Sequence, residues 1–447
     1  LHFSPEGVTH RWLVLSRSAD DIIAAKGLLE RFEKLRSLDR STVVNVAVPL
    51  DGGSVDGLIY AYLPTRQATE MPIHFNGDFF PHASRQAIVL EGGQHEPYWN
   101  RALIETAAAA LSENFVLIRD RLGAVRLWEL GDAAFRRKDD AVFKPFWKKF
   151  SQAAIENASL WSSDAAWHHP GAVFLPPEKM TPQAQSAVVD LGLALIHSDL
   201  RPHWNVLSSI GLKNLTLKPI VEALETHGER IAEAGGTELR DLWLALDLII
   251  LSESEPTSSA GLLDDLSRTV FIVDTEGQTI SPANAWRLPS TVSTTRLQRM
   301  VPDCRVAHPD VLAHPRLAEL VPAYRLENFS RDLVRLIKGE DDAVACIGES
   351  DKDIRRFYAL LTSFPRDKSA SKAAQLMSDV PCLWTGKKFV RPSKGQLPGD
   401  FRDPIGHFEI VDERLFTPDM KDFTHNVLDI ALLTFNNYVE NHLEEIL

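Results

Sequence analysis

Three cysteines in 447 residues, Cys304, Cys346 and Cys382, are too few and too scattered for a disulfide framework. A reducing cytoplasm is the expectation. Long apolar runs are missing too: Leu242 to Leu251 is about ten residues and contains Asp247, where a bilayer span needs ~20. No membrane partner is expected, and no secretory signal is visible. There is no surplus of basic residues, since Lys and Arg number 48 against 61 Asp and Glu, for a formal net charge of -13. That balance argues against a dominant nucleic-acid partner and leaves room only for a local basic patch. The chain also lacks a GxxxxGK loop followed by Ser or Thr, a Rossmann glycine fingerprint after a strand, and a Gly-x-Ser-x-Gly elbow. No nucleotide cofactor is therefore expected in this chain alone.

What is present is the composition of a folded protein, 44% hydrophobic and 24% charged. The length favours several domains. The pattern predicts a mixed α+β chain: an α/β domain over 1–135, a linker or boundary over 136–165, a helical domain with β-hairpins over 166–290, and a second one over 291–447 ending in a long helix. Arg11 to Arg17 reads as a strand, Ser18 and Asp21 as the start of one helix through Leu35, and Val43 to Leu50 as a second strand. The charged, aromatic run from Arg136 to Lys149 looks like a linker or boundary and reads as a solvated helix covering a hydrophobic stripe rather than a nucleic-acid contact, because Asp139 and Asp140 interrupt the basic patch.

The distinctive stretch runs from Leu58 to Trp99. Leu58, Tyr60 and Tyr62 make one strand; Pro64 to Pro72 reads as a loop; Ile73, Phe75, Phe79 and Phe80 make a second strand broken at Asn76-Gly77. Ser84, Arg85 and Gln86 follow near a sheet end, and a helix is expected to open at Trp99-Asn100 and run to Leu117. The ordered set Leu63, Pro64, Thr69, Pro72, His74, Asn76, Gly77, Phe79, Ser84, Arg85, Trp99 and Asn100 resembles the sacsin repeat, in which an ATPase domain is followed by an extension similar to the middle domain of the ninety-kilodalton heat-shock chaperone. Met71 and Gln86 depart from the family's leucine and second arginine, and the aromatic after that arginine pair is missing. The family's own ATPase motifs are absent from this chain.

The resemblance implies that the chain is the middle and C-terminal portion of an ATP-driven, chaperone-like protein. An upstream domain would carry ATP and Mg, and Arg85, with Arg66 as second choice, would reach its γ-phosphate. A guanidinium suits that task because it keeps its charge and presents a planar fork of donors. A structural salt bridge at a domain edge is the alternative role for both. His74, His82 and His95 flank Arg85 in sequence and could polarise a phosphate, although a hydrogen-bonded structural role is the favoured reading for histidines near sheet ends. A protein client and a homodimer through the last amphipathic helix, Phe423 to Leu447, are further partner expectations; that helix packing on its own domain is the alternative. Competing functions are a stand-alone binding scaffold without ATPase activity, or the sensor part of a nucleic-acid or antiviral effector.

A weak repeat starts at Gly171, Thr269 and Pro381, each a strand, turn and exit through proline, at intervals of about a hundred residues. Cys304, His308 and His314 have a metal-like spacing without a fourth ligand and read as a surface loop, so no metal is expected. The paired acids Asp20-Asp21, Asp139-Asp140, Asp264-Asp265 and Asp341-Asp342 read as helix caps or solubilising charge.

Overall fold

The computed structural model describes residues 11–51, 55–252, 256–368, 370–403, 406–436 and 438–439. It is about 51% helix and 14% strand in small sheets, a mixed α+β fold as expected. The chain divides into two compact units, Leu1–Thr216 and Leu217–Leu447.

The first unit is built on β1 (Trp12–Ser18), β2 (Val43–Pro49), β3 (Leu58–Ala61), β4 (Leu63–Ala68) and β5 (His74–Asn76), in the order β1-β2-β5-β3-β4. Only the β3–β5 pair is parallel. Alternation in β2 buries Val44, Val46 and Val48 on one face, as period-two patterning requires. Between β1 and β2, Gly27 at φ 56 interrupts the expected single helix, leaving α1 (Asp20–Ala25), α2 (Leu28–Arg31) and α3 (Glu33–Ser37). Two strand expectations change. Leu63–Ala68 is a strand, not a loop, and Pro64 is tolerated because β4 is the sheet edge, where a missing N–H breaks no ladder. The second aromatic strand shrinks to His74–Asn76, and the chain leaves the sheet at Gly77.

Over this sheet lies α4 (His95–Glu113), four residues earlier at its start than expected, with buried Ala102, Ala107, Ala108 and Ala110 allowing close approach to β1 and β2. Next come α5 (Phe115–Leu122), α6 (Ala124–Arg136) and α7 (Lys144–Glu156). The stretch 136–165 is not a linker. Phe143, Phe146 and Phe150 recur at helical spacing and are buried; Phe146 stacks on Phe75 of β5 at 4.9 Å, and Phe150 meets Trp128 edge-on at 5.8 Å. Gly131 lets α6 and α7 close, since a Cβ there would lie 2.9 Å from the Trp128 ring and 3.0 Å from that of Phe150. Trp128 also donates its indole N–H to the Ser159 carbonyl, at 3.0 Å. The charges of this run occupy the outer face, as expected of a helix that covers an apolar stripe; what differs is that this helix is part of the first core and not a boundary.

Beyond Ser159 the repeat is real, although its first copy starts earlier than Gly171. Short antiparallel hairpins pair Leu160–Trp161 with Trp167–His168, Ile272–Val273 with Thr279–Ile280, and Leu383–Trp384 with Phe389–Val390. Each is followed by the same backbone bonds. The amides of His197, His308 and Asp412 donate to the carbonyls of Trp161, Val273 and Trp384 at 2.9, 3.0 and 2.8 Å. Those of Ile196, Ala307 and Val411 donate to Phe174, Trp286 and Gln396 at 2.9, 3.0 and 2.9 Å, and those of Leu215, Tyr324 and Leu433 to Leu175, Arg287 and Leu397 at 2.8, 2.9 and 2.8 Å. His197, His308 and Asp412 then each cap the next turn through a side-chain acceptor. The first module closes the first unit, and the other two belong to the second, where helices such as Leu326–Leu336 and Asp351–Leu361 supply the intervening core. This sharing of one module also replaces the expected division at 290 and 291.

The long terminal helix expected from Phe423 is replaced by Pro418–Asn426, after which Leu432 pairs with Leu397 inside the third module. Residues 437 and 440–447 lie outside the described residues. The amphipathic surface on which a homodimer was expected is therefore not formed by Val427 to Leu433.

Because α7 belongs to the first core, a fragment ending at Thr216 is expected to unfold cooperatively in urea, whereas one ending at Phe135 is expected to lose that transition. Phe146→Ala should lower the stability of the longer fragment by about 3–5 kcal/mol. A cooperative transition in the fragment ending at Phe135 would contradict the assignment.

Candidate functional site

The resembling stretch folds into two parts, a buried knot and an exposed turn. In the knot, the Thr69 hydroxyl is fully buried and lies 2.8 Å from the Met71 carbonyl and 3.1 Å from that of Ile73, while the Thr69 amide donates to Gly57 at 2.8 Å. Gly57 has no alternative, because a Cβ there would stand 2.0 Å from the Ile73 oxygen. His74 accepts the Leu58 amide on Nδ1 at 2.9 Å. Burial holds its pKa below the ordinary value, and the accepted N–H needs Nδ1 unprotonated. Phe79 is in the core, and Asn76 faces Asn45 across the β2–β5 pair with its Oδ1 buried and unpartnered.

The exposed turn is a hairpin from Phe80 to Val89. Val89 donates to Phe80 at 2.9 Å, His82 to Ala87 at 2.8 Å and Arg85 to His82 at 2.8 Å, leaving Ala83 to Gln86 at the tip. Asn100, the sixth residue of α4 and fully buried, clamps its root with three bonds: Oδ1 accepts from the Phe80 amide at 2.8 Å, and Nδ2 donates to the Phe80 and Val89 carbonyls at 2.9 and 2.8 Å. Beside it the Trp99 indole donates to the Asp78 carbonyl at 2.9 Å. Arg40 pairs with the Asp78 carboxylate and lies 3.6 Å above the Phe80 ring.

The tip lies along the outer edge of β4. The Arg66 amide donates to the Gln86 carbonyl at 2.8 Å, and the Ile88 amide donates to Gln67 Oε1 at 2.9 Å. The two arginines singled out from sequence are thus brought together, one on the strand and one on the turn beside it. Both are exposed, and among the described residues neither has an acidic partner. A salt bridge at a domain edge is therefore not what holds either of them. Arg85 sits at φ 55, a left-handed conformation that costs a non-glycine residue about 1–2 kcal/mol. Tyr62, at φ 61 and 65% exposed, and Leu63, 62% exposed, form the β3–β4 turn, with Pro64 next to them.

Of the three flanking histidines only His82 belongs to the Arg85 turn. His74 is committed to Leu58, and His95 is buried with its ring edge-on to Phe80 at 5.2 Å. Ser84 is exposed at the tip, and Pro72 lies within the knot between Met71 and Ile73. Arg40 and Gln67 had no distinctive sequence signal; each acts through a partner far from it in the chain.

Cys304, His308 and His314 do not form a ligand set. Cys304 is buried in the second unit, where burial pushes its thiol up to about 12, and His308 caps a helix; the expected surface loop is therefore wrong for the cysteine. Among the described residues no group of three or more His, Cys, Asp or Glu is placed to hold a metal ion, and no helix is long and apolar enough to cross a membrane. No family model, no curated protein and no solved structure matches this chain.

Asn100→Ala leaves the Phe80 amide and the Val89 carbonyl without partners and removes a second bond to the Phe80 carbonyl, so it should destabilise the first unit by roughly 2–4 kcal/mol in urea unfolding. Arg85→Gly, which removes the strain and no ion pair, should leave stability unchanged or raise it by up to about 1 kcal/mol. A loss of stability in Arg85→Gly would give the arginine a structural role.

His74 supplies a pH test. Its folded pKa lies below 6.5, so its contribution to stability is complete above 6.5 and is lost as pH falls below that value towards the folded pKa. Urea midpoints measured across that window should fall more steeply for the native chain than for His74→Gln; parallel slopes would show that the ring does not titrate with folding.

Proposed function

We propose that this chain is the middle and C-terminal portion of a sacsin-like, heat-shock-chaperone-like ATP-driven protein. Its first unit completes the nucleotide site of an upstream domain through Arg85, and the rest of the chain handles a client or partner. ATP and Mg belong to that upstream domain.

The observation that carries the reading is Arg85 itself: exposed, without an acidic partner among the described residues, and held at φ 55 on a turn whose root is clamped by buried Asn100. Glycine would serve the backbone better at this position, so the strain is explained by a use for the side chain. The clamp limits the freedom the turn loses on contact, as preorganised electrostatic stabilisation requires. Arg66 across the β4 edge adds a second positive charge, and exposed Tyr62 and Leu63 supply apolar area on the adjoining β3–β4 turn for docking a neighbouring domain.

In the protein with its upstream ATPase, Arg85→Ala should lower ATP turnover on the order of 10³-fold while nucleotide affinity stays within a few-fold, because an arginine that meets charge developing in the transition state acts on kcat. Arg85→Lys keeps the charge but loses the fork and should recover only part of the rate. Unchanged turnover in Arg85→Ala would remove the role, and a defect confined to Arg66→Ala would move it to the strand.

A further inference from the structure

The two edges of the first sheet are finished differently. β4 carries Pro64, meets β3 with a register shift between Leu58 and Tyr60, and has its outer side occupied where the Arg66 amide donates to the Gln86 carbonyl at 2.8 Å. β1, the opposite edge, is seven residues long, contains neither proline nor lysine, and pairs with β2 without a register shift from Trp12 to Ser18. Proline, lysine, bulges and covering loops keep a sheet edge from accepting another strand, and β1 shows none of them among the described residues.

The pairing register leaves a defined set of backbone groups over. The Leu50 amide donates to the Arg11 carbonyl at 2.8 Å and the Ala19 amide to the Thr42 carbonyl at 2.9 Å, so the bonded pairs of this antiparallel ladder fall on Arg11, Leu13, Leu15, Arg17 and Ala19. Trp12, Val14 and Ser16 therefore turn their N–H and C=O groups to the open side, where no described residue meets them. At Ser18 the row ends, because the Arg17 guanidinium donates to that carbonyl at 3.1 Å. Donors and acceptors alternating over Trp12 to Ser16 are a template for one extended strand.

The side chains beside this row are apolar on both faces of the sheet. On the open face the Trp12 ring lies 5.0 Å from that of His74, and Val14 is 41% exposed; on the face under α4, Leu15 is in the core and Leu13 at its border. An added strand with apolar side chains would find cross-strand neighbours on either face. A second copy of β1 fits poorly. The two-fold register that uses all three free residues is centred on Val14 and sets Arg11 opposite Arg17 of the copy, and each chain carries a formal net charge of -13.

We propose that the β1 edge takes up an extended segment of another protein, with apolar side chains at alternate positions and no acidic residues, as an added strand beside Trp12, Val14 and Ser16. This edge lies across the sheet from Arg66 and the Arg85 turn, so the proposal stands whether or not Arg85 meets a nucleotide.

Fluorescence anisotropy of the intact chain with a labelled, end-capped peptide, Lys-Val-Thr-Val-Thr-Val-Lys, tests this. Saturable binding is expected for the native chain. Val14→Pro removes one of the free N–H groups and no bond to β2, so it should keep the fold by circular dichroism and bind on the order of tenfold more weakly. Of two further peptides, N-methylated at the valines or at the threonines, at least one should weaken by a similar factor, because its edge-facing amides are blocked. Absence of saturation at millimolar peptide, undiminished affinity in Val14→Pro, or equal affinity for the parent and both methylated peptides would each overturn the proposal. So would a concentration-dependent dimer in sedimentation that Val14→Pro abolishes, since the edge would then belong to a second copy. If Val14→Pro does not fold, the methylated peptides decide.

Discussion

The first unit depends on one buried amide. Asn100 has both ends of its side chain committed to the backbone of a hairpin eleven to twenty residues earlier, and its three bonds decide where the Phe80–Val89 hairpin starts and ends. A carboxylate or an apolar group of similar size could not replace it, because the loop offers one donor and two acceptors and only an amide answers both. Trp99 and Arg40 reinforce the same root through Asp78, one from the helix and one from the segment before β2. Everything exposed at the tip, Arg85 included, inherits its position from that clamp.

The division of labour inside the stretch follows from burial. Thr69, His74, Phe79, Trp99 and Asn100 spend their side chains on the fold, whereas Leu63, Pro64, Ser84 and Arg85 present theirs to solvent. Changes at residues of the first kind are expected to lower stability, and changes at those of the second kind to leave it nearly unaltered. Two of the exposed positions on this sheet edge, Tyr62 and Arg85, adopt left-handed backbone that glycine would occupy more easily. Two such residues on neighbouring turns point to a surface shaped for contact rather than for its own stability.

Some of this was legible in the sequence. The β-branched alternation of Val43 to Pro49, the apolar strand at Leu58 and the ordered set from Leu63 to Asn100 all fall in the sheet, the hairpin and the helix that clamps it. Motif order marked Asn100 and Thr69 without revealing what they do, since their partners are backbone atoms invisible to residue type. Polar composition misled at Leu63–Ala68, where a proline and an arginine suit an edge strand as well as a loop; at Arg136 to Lys149 a helix over an apolar stripe was legible in the spacing of Phe143, Phe146 and Phe150, but the surface charge made it look like a boundary and not part of the first core. The modules were only partly legible because strands of two residues carry no periodicity. Their identity lies in repeated backbone bonds, and the first copy is recognisable at Leu160-Trp161 only beside Ile272-Val273 and Leu383-Trp384.

The central claim is that a prebuilt turn carrying Arg85 meets an anionic group on a neighbouring domain. Hydrogen exchange at the amides of Arg66 and of Arg85 to Ile88 reports that contact directly in a protein that carries the proposed upstream ATPase domain, with and without a non-hydrolysable ATP analogue. The account predicts slower exchange at these amides when nucleotide is bound, with the amides of β1 and β2 unchanged. Exchange at the turn that is indifferent to saturating nucleotide would contradict it.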